Sequence, residues 1–156
     1  MSKKDVIIVE SPSKIKTLQK FLGGEYLIEA SVGHIRDLPK KNLGLEIDND
    51  FKTTYEISPD SIKTVKKLKD VIKNANNLYL ATDPDREGEA ISWHIIDELK
   101  PKIPVKRLVF NEITKSAIQR ALKETRELDM ALVDAQECRR ILDRLFGFLI
   151  SKILWS

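Results

Sequence analysis

The sequence predicts an α/β domain built on a mainly parallel sheet flanked by helices, followed by a helical segment of a next domain. Short, solid apolar runs at Val6–Val9, Leu78–Thr82 and Val105–Phe110 have the character of strands buried on both faces. Stretches of helical period alternate with them, which is the pattern of strands joined by crossover helices. From Asp129 onward the alternation gives way to one long apolar stripe formed by Ile141, Leu142, Leu145, Phe148 and Leu149. The boundary is placed near residue 125, dividing a unit at 1–125 from the start of a second at 126–156.

Each element has a local reason. Val6–Val9 is rich in β-branched residues, and Ser11-Pro12 after it supplies an N-cap and a first helical residue, predicting a helix to about Leu22 that Gly23-Gly24 stops. Tyr26–Ala30 reads as a strand, and Ser31–Pro39 as a loop broken by Gly33 and Pro39. Lys40 to Asp50 has no clear period, and Thr53–Ile57 reads as a further strand. Ser58-Pro59 opens a helix with Ile62, Val65, Leu68, Val71 and Ile72 on one face. Asp83–Glu89 forms a turn entering a third helix, which carries Ile91, Ile95, Ile96 and Leu99 and ends before Pro101. Pro84 favours an extended Asp83, so the preceding strand is expected to reach that residue. Thr114 caps a fourth helix through Ala117, Ile118, Ala121 and Leu122.

At 156 residues the chain is close to one domain's worth, about 100–200 residues. With 33% charged and 42% hydrophobic residues, disorder and collagen-like repeats are excluded. Twenty-seven Lys and Arg against 24 Asp and Glu leave a net charge of +3, so a polyanion would have to be held by a local patch. A single cysteine, Cys138, excludes an internal disulfide and fits a reducing compartment. Cys138 is expected as a small buried hydrophobe, and His94 as a packing residue in an apolar helix. Four apolar residues near the N-terminus are too few for a signal sequence or a membrane span. The expectation is a cytoplasmic protein. The apolar ending Ile153-Leu154-Trp155-Ser156 suggests a piece of something longer.

The chemistry concentrates in Asp83-Pro84-Asp85-Arg86-Glu87-Gly88-Glu89, where four carboxylates fall within seven residues just after a buried strand. Like charges this close raise each other's pKa values or require a cation. Acidic residues are also common in first helical turns, where the dipole favours anions. The D-x-D-x-E spacing nevertheless brings three hard oxygen donors to the mouth of a sheet, which suits Mg2+. Glu10 likewise ends a buried strand. In open α/β sheets the active crevice lies beyond the carboxyl ends of the strands, so Glu10 and Asp83 share it if their strands are neighbours. Lys14 would lie in the first turn of the next helix, within reach of a phosphate. Taken alone, Glu10 is a capping-region acid and Lys14 a solvated lysine.

Val9-Glu10-Ser11-Pro12-Ser13-Lys14, the run Ala30–Pro39 containing Gly33-His34-Ile35-Arg36-Asp37, and Ala81–Ile91 together resemble the bacterial type IA DNA topoisomerases. Val109–Thr114 and Asp143-Arg144-Leu145 with Gly147 continue the resemblance in order over nearly the whole chain. The Glu-Ser-Pro-Ser-Lys form is closer to the topoisomerase I branch than to topoisomerase III. The resemblance implies a Toprim-type fold over 1–125 and the start of a helical DNA-binding domain over 126–156. It implies that Glu10 acts in acid/base transfer and helps hold metal, and that Lys14 stabilises the phosphoryl transition state. Asp83, Asp85 and Glu87 correspond to a Mg2+-binding triad. His34, Arg139, Arg140, Asp143 and Trp155 correspond to the single-stranded DNA path. Glu137 and Cys138 depart from the glutamine and small residue expected there; Phe146, Phe148 and Lys152 depart from Val, Tyr and Pro.

Arg139 and Asp143, four apart on one helix, can form a fork-shaped pair beside a phosphate or a plain surface ion pair. Trp155 can stack on a base or pack in a core. The implied partner is a single-stranded segment of negatively supercoiled DNA in the nucleoid, with no membrane. A tyrosine nucleophile is expected from the remainder of a longer chain, because Tyr26, Tyr55 and Tyr79 lie in no segment resembling the nucleophile region. No ATP is expected, since a phosphotyrosine bond conserves the energy of the phosphodiester and no Gly-x-x-x-x-Gly-Lys loop is present. Two other readings of the same residues are a self-contained Mg2+-dependent nuclease or primase-like enzyme and a non-catalytic nucleic-acid-binding module.

Overall fold

The computed structural model describes residues 3–39, 45–46 and 52–155; the side chains of Leu45, Glu46, Lys52 and Trp155 lie outside that description. Four parallel strands form the central sheet: β1 (Lys4–Val9), β2 (Tyr26–Ala30), β7 (Ala75–Leu80) and β8 (Val105–Arg107), in the order β2-β1-β7-β8. Val6 pairs with Leu27 on one side and with Leu78 on the other, so β1 and β7 are the central neighbours. The expected parallel sheet flanked by helices is thus observed.

The pleat sorts the apolar residues of β1 between two cores. Val6 and Ile8 face helices α2 (Ile62–Lys73) and α3 (Arg86–Leu99), meeting Val65, Leu68, Ile91 and Ile95. Ile7 and Val9 face α1 (Pro12–Leu22) and α4 (Lys115–Lys123), meeting Leu18, Ile118 and Ala121. Full burial of each such side chain is worth about 1.5–3 kcal/mol. Both sheet faces are therefore covered, and the carboxyl edge is left open for chemistry.

The helices begin and end for the reasons the sequence supplies. Pro12 opens α1, Gly23 closes it at φ +64°, and the Thr114 hydroxyl accepts from the Ala117 amide at 3.2 Å to cap α4. A 3-10 turn at Pro59–Ser61 precedes α2, and Ile62 stays exposed rather than joining its buried face. Helix α5 (Met130–Trp155) begins after Asp129, whose carboxylate accepts from the Ala131 and Leu132 amides. It is seated against α3 through Val133 and Glu137, both buried, while Leu142, Phe146, Leu149, Ile153 and Leu154 are exposed.

Several expectations are corrected. The strand leading to Asp83 ends at Leu80; Ala81 still donates to the Ile8 carbonyl at 2.8 Å, but Thr82 and Asp83 have left the ladder. β8 stops at Arg107 instead of Phe110, because the Arg107 guanidinium occupies the Thr82 and Leu108 carbonyls that a longer ladder would use. Thr53–Ile57 is two short pieces. β5 (Lys52–Thr53) pairs with β4 (Leu45–Glu46), whereas β6 (Glu56–Ile57) pairs with β3 (Arg36–Asp37) inside the expected loop Ser31–Pro39. Apart from β4, the expected irregular excursion Lys40–Asp50 lies outside the described residues. Cys138 is exposed, because it lies on the outer side of α5 while the adjacent Glu137 faces inward. Among the described residues no helix is long and apolar enough to cross a membrane.

Candidate active site

The pairing of β1 with β7 brings Glu10 and the Asp83 turn to one end of the sheet. Lys14, on the first turn of α1, lies between them: its ammonium donates to Glu10 Oε1 and, at 2.5 Å, to Asp83 Oδ1. Glu10 and Lys14 are about four-fifths buried, whereas half of the Asp83 side chain is open to solvent. Burial pushes the Glu10 carboxyl up; Lys14 opposes this, and Asp83 reinforces it. Burial acts upward on Asp83 too, but the bonds to Lys14 and Glu10 and the Lys14 and Arg107 charges bring it below the usual carboxylate range. Two neighbouring carboxyls are thereby driven apart, Glu10 toward the acid and Asp83 toward the anion. The Lys14 ammonium is itself stabilised, so at neutral pH it is a cation held between them.

The turn after Asp83 is shaped by backbone fit. Gly88 is buried against the Asp83 carbonyl, and a Cβ there would lie 1.9 Å from that oxygen. Thr82 Oγ1 donates to the Gly88 carbonyl at 2.6 Å and accepts from Ser92 Oγ at 2.8 Å. The Asp85 carboxylate caps α3 by accepting from the Gly88 amide at 2.7 Å. Glu87 is exposed on the first turn of α3, 3.7 Å from His34 Nε2. Glu89 has no part in the crevice: it is fully buried, accepting from Arg107, Arg126 and the Asp129 amide.

His34 reaches the site through a strained turn. Val32 at φ +57° and Gly33 at φ +75° are both left-handed, and Gly33 donates to the Glu10 carbonyl at 2.8 Å. A β-branched residue in that region is held there only by its surroundings. His34 Nδ1 is buried with no hydrogen-bond partner among the described residues. Burial, with the Arg140 charge, keeps the ring neutral by lowering its pKa.

The structure thus assembles Glu10, Lys14 and Asp83 directly, with Glu87 and His34 alongside. Among the described residues it forms no ready-made cluster of three or more His, Cys, Asp or Glu side chains around a cation position. The donor set is still chemically suited to Mg2+: the ion takes one or two carboxylates and keeps waters or phosphate oxygens, and Asp83, Asp85 and Glu87 are all solvent-accessible hard donors.

The residues on α5 divide. Arg140 is turned inward, donating to Asp37 and Glu137 rather than standing open. Arg139 and Asp143 are exposed, and no ion pair joins them. That corrects the expected fork: an exposed i,i+4 pair with the cation N-terminal is the poorer orientation and gains little. The Trp155 side chain lies outside the described residues.

Sequence reasoning missed a second buried group beside the site. Arg36 Nε donates to His94 Nδ1 at 2.7 Å, and Tyr55 donates to Glu137 Oε2 at 2.5 Å. The Arg36 guanidinium lies over the Tyr55 and Trp93 rings. His94 is therefore the hub that joins α3 to α5, not simply an apolar packer. It also missed Arg107, which follows Lys106 and directly precedes the apolar Leu108-Val109-Phe110, and whose burial no local pattern marks.

A doubly covered parallel sheet with an acidic crevice at its carboxyl edge defines the class: an α/β domain that presents carboxylates just beyond the ends of its two central strands. Residues 5–113 match the Toprim domain family, and the chain belongs to that family. It is 53% identical to DNA topoisomerase 1 of Streptomyces coelicolor and 49% identical to that of Mycolicibacterium smegmatis, each over 97% of this chain. It spans only 17% and 18% of those relatives' lengths. The full-length topoisomerase I of Thermotoga maritima superimposes with a TM-score of 0.90 and 47% identity, over 96% of this chain and 26% of that one.

Proposed function

We propose that this chain is the Toprim part of a type IA DNA topoisomerase, which cuts one DNA strand, passes another through and rejoins it without ATP, relaxing negative supercoils. The observation that carries the proposal is Lys14 bridging Glu10 and Asp83 at the carboxyl edge of the sheet. The relatives named DNA topoisomerase 1 support it over 97% of this chain.

In this reading a tyrosine, as its phenolate, attacks the scissile phosphorus, forming a 5′-phosphotyrosine bond as the bond to the 3′-oxygen breaks. Glu10, the carboxyl driven toward its protonated form, gives its proton to the departing 3′-oxygen and takes it back when the strand is rejoined. Lys14 balances the charge of the phosphoryl group in flight. Asp83, Asp85 and Glu87, with Glu10, would hold Mg2+, which when bound supplies charge neutralisation for the phosphate. His34 and the α5 residues Arg139, Arg140, Asp143 and Trp155 would line the path of the single strand, with a division between catalytic and helical parts near residue 125. Arg140 would have to exchange Asp37 for DNA.

The tyrosine is assigned to the remainder of a longer chain, acting with this one in the cytoplasm. Tyr26 and Tyr79 stack edge to face, and burial, reinforced by the Asp5 charge, raises both phenols; Tyr26 pairs with Asp5 and Tyr79 with Ile7, so both lie within the ladder rather than beyond its carboxyl edge. The Tyr55 phenol is tied to Glu137 and is pushed up to about 12 by burial and by that bond.

The test is a denaturing gel of end-labelled single-stranded DNA with this chain, Mg2+ and a separate downstream polypeptide carrying the tyrosine. Covalent 5′-linked product only when both pieces are present, and reduced by Glu10→Gln, is the expected result. Free cleavage products from this chain alone would instead establish a metal-dependent nuclease.

A further inference from the structure

We infer that Arg107 is a positioning residue of the crevice: its guanidinium holds the backbone from Leu80 to Asp83 so that the Asp83 carboxylate meets Lys14 beside Glu10. The inference rests on the functional reading above for its consequence, but its geometry is independent of it. β7 leaves the ladder after Leu80, and the chain must still carry Asp83 to a defined place. Arg107 Nη1 donates to the carbonyls of Leu80 (2.9 Å), Thr82 (2.7 Å) and Leu108 (3.1 Å), and Nη2 donates to that of Asp83 (2.6 Å). Nε donates to Glu89 Oε1 at 3.0 Å, so every nitrogen of the fork is used. The side chain does for these residues what a neighbouring strand would have done.

Chemistry specifies this residue type. A guanidinium presents five donors in one rigid plane, whereas an ammonium is a point charge that cannot span carbonyls on both sides of a turn. Burying it is costly, and here Glu89 offsets the cost, itself gripped by Arg126 and the Asp129 amide. Gly88 packs against the same Asp83 carbonyl that Arg107 Nη2 holds, where only a residue without a Cβ fits.

Arg107→Lys keeps the charge and loses the fork; Arg107→Gln keeps a flat amide and loses the charge. Both would be made in this 156-residue chain, melted, and compared with the unsubstituted chain by two readouts. The first is the 1H–15N signal of the Lys14 ammonium, which persists only while the ammonium is held between its carboxylates. The second is the dissociation constant for Mg2+ alone, where loss of a supporting residue is expected to weaken binding about tenfold. A folded variant that has lost the Lys14 signal, with Mg2+ binding weakened, is the expected result. A folded variant with both readouts unchanged overturns the inference, and so does failure of both variants to fold, which would make Arg107 a residue of stability alone. If the unsubstituted chain forms no covalent DNA product with the tyrosine-bearing piece, the topoisomerase reading fails, while the Lys14 signal still decides the role of Arg107.

Discussion

His94 donates through Nε2 to Glu137, 3.0 Å away, because its other ring nitrogen already accepts from Arg36. The tautomer is thus fixed by geometry, and a second proton could be added only by breaking the Arg36 bond. Burial acts in the same direction and holds the His94 pKa below 6.5, although Glu137 and its charge pull the other way. At neutral pH the ring is neutral and Glu137 carries the charge. Burial opposes that charge, but bonds from His94 and Tyr55 and the Arg140 guanidinium prevail, bringing Glu137 to about 2.

The first prediction follows for acid. A carboxylate whose folded pKa is about 2, against 4.5 when unfolded, stabilises the fold above about pH 5 and loses that contribution as the pH falls toward 2. Glu137→Gln should cost about 2 kcal/mol at pH 7 and flatten the loss of stability between pH 5 and 2. Urea midpoints at a series of pH values measure both effects. An equally steep acid profile in the variant would contradict the assignment.

His94 gives a second window. Its folded pKa is lowered, so its contribution is complete above 6.5 and declines as the pH falls below that value. His94→Gln preserves an acceptor for Arg36 and a donor for Glu137 without a titrating ring. We expect it to lower stability by about 1–2 kcal/mol at pH 7.5, with a smaller further drop at pH 5.5 than the unsubstituted chain shows.

Gly88→Ala sets two effects against each other. Alanine in a helix gains about 1 kcal/mol over glycine, but here its Cβ would lie 1.9 Å from the Asp83 carbonyl oxygen. Overpacking against backbone costs about 3 kcal/mol or more, so the clash prevails. Thermal unfolding should show net destabilisation, and Mg2+ binding should weaken because the Asp83 turn is displaced.

Lys14→Ala separates binding from chemistry. The ammonium occupies the two carboxylates most able to hold a cation, so removing it should tighten Mg2+ binding by about fivefold. Calorimetric titration of the chain reads this directly. Covalent cleavage, assayed with the tyrosine-bearing piece, should fall at the same time. Weaker Mg2+ binding in Lys14→Ala would mean that the lysine orders the carboxylates rather than competing for them.

Much of the frame was legible because it follows local rules. The β-branched run Val6–Val9, Ser11-Pro12 before α1, Gly23 after it and Thr114 before α4 act over a few residues each. Glu10, Lys14 and Asp83 could be placed together because parallel strands expose their carboxyl ends at one edge. What escaped was set by partners distant in sequence. Tyr55 is turned out of a continuous strand toward Glu137, 82 positions away, and Arg107 shortens β8 by binding the Thr82 carbonyl, 25 positions away. Glu89 looked like one more crevice acid, yet Arg107 and Arg126 draw it into the interior. Cys138 was misplaced by one helical step, since a residue's small size does not reveal which face of α5 meets α3.

The 69 positions between Lys14 and Asp83 also have a meaning in time. A ribosome adding about 5–20 residues per second delivers the first half of the crevice on the order of ten seconds before the second. Until β7 slides in beside β1, Glu10 and Lys14 lack the Asp83 turn that completes their surroundings. The crevice in which Glu10, Lys14 and Asp83 meet exists only once that long-range closure of the sheet is complete.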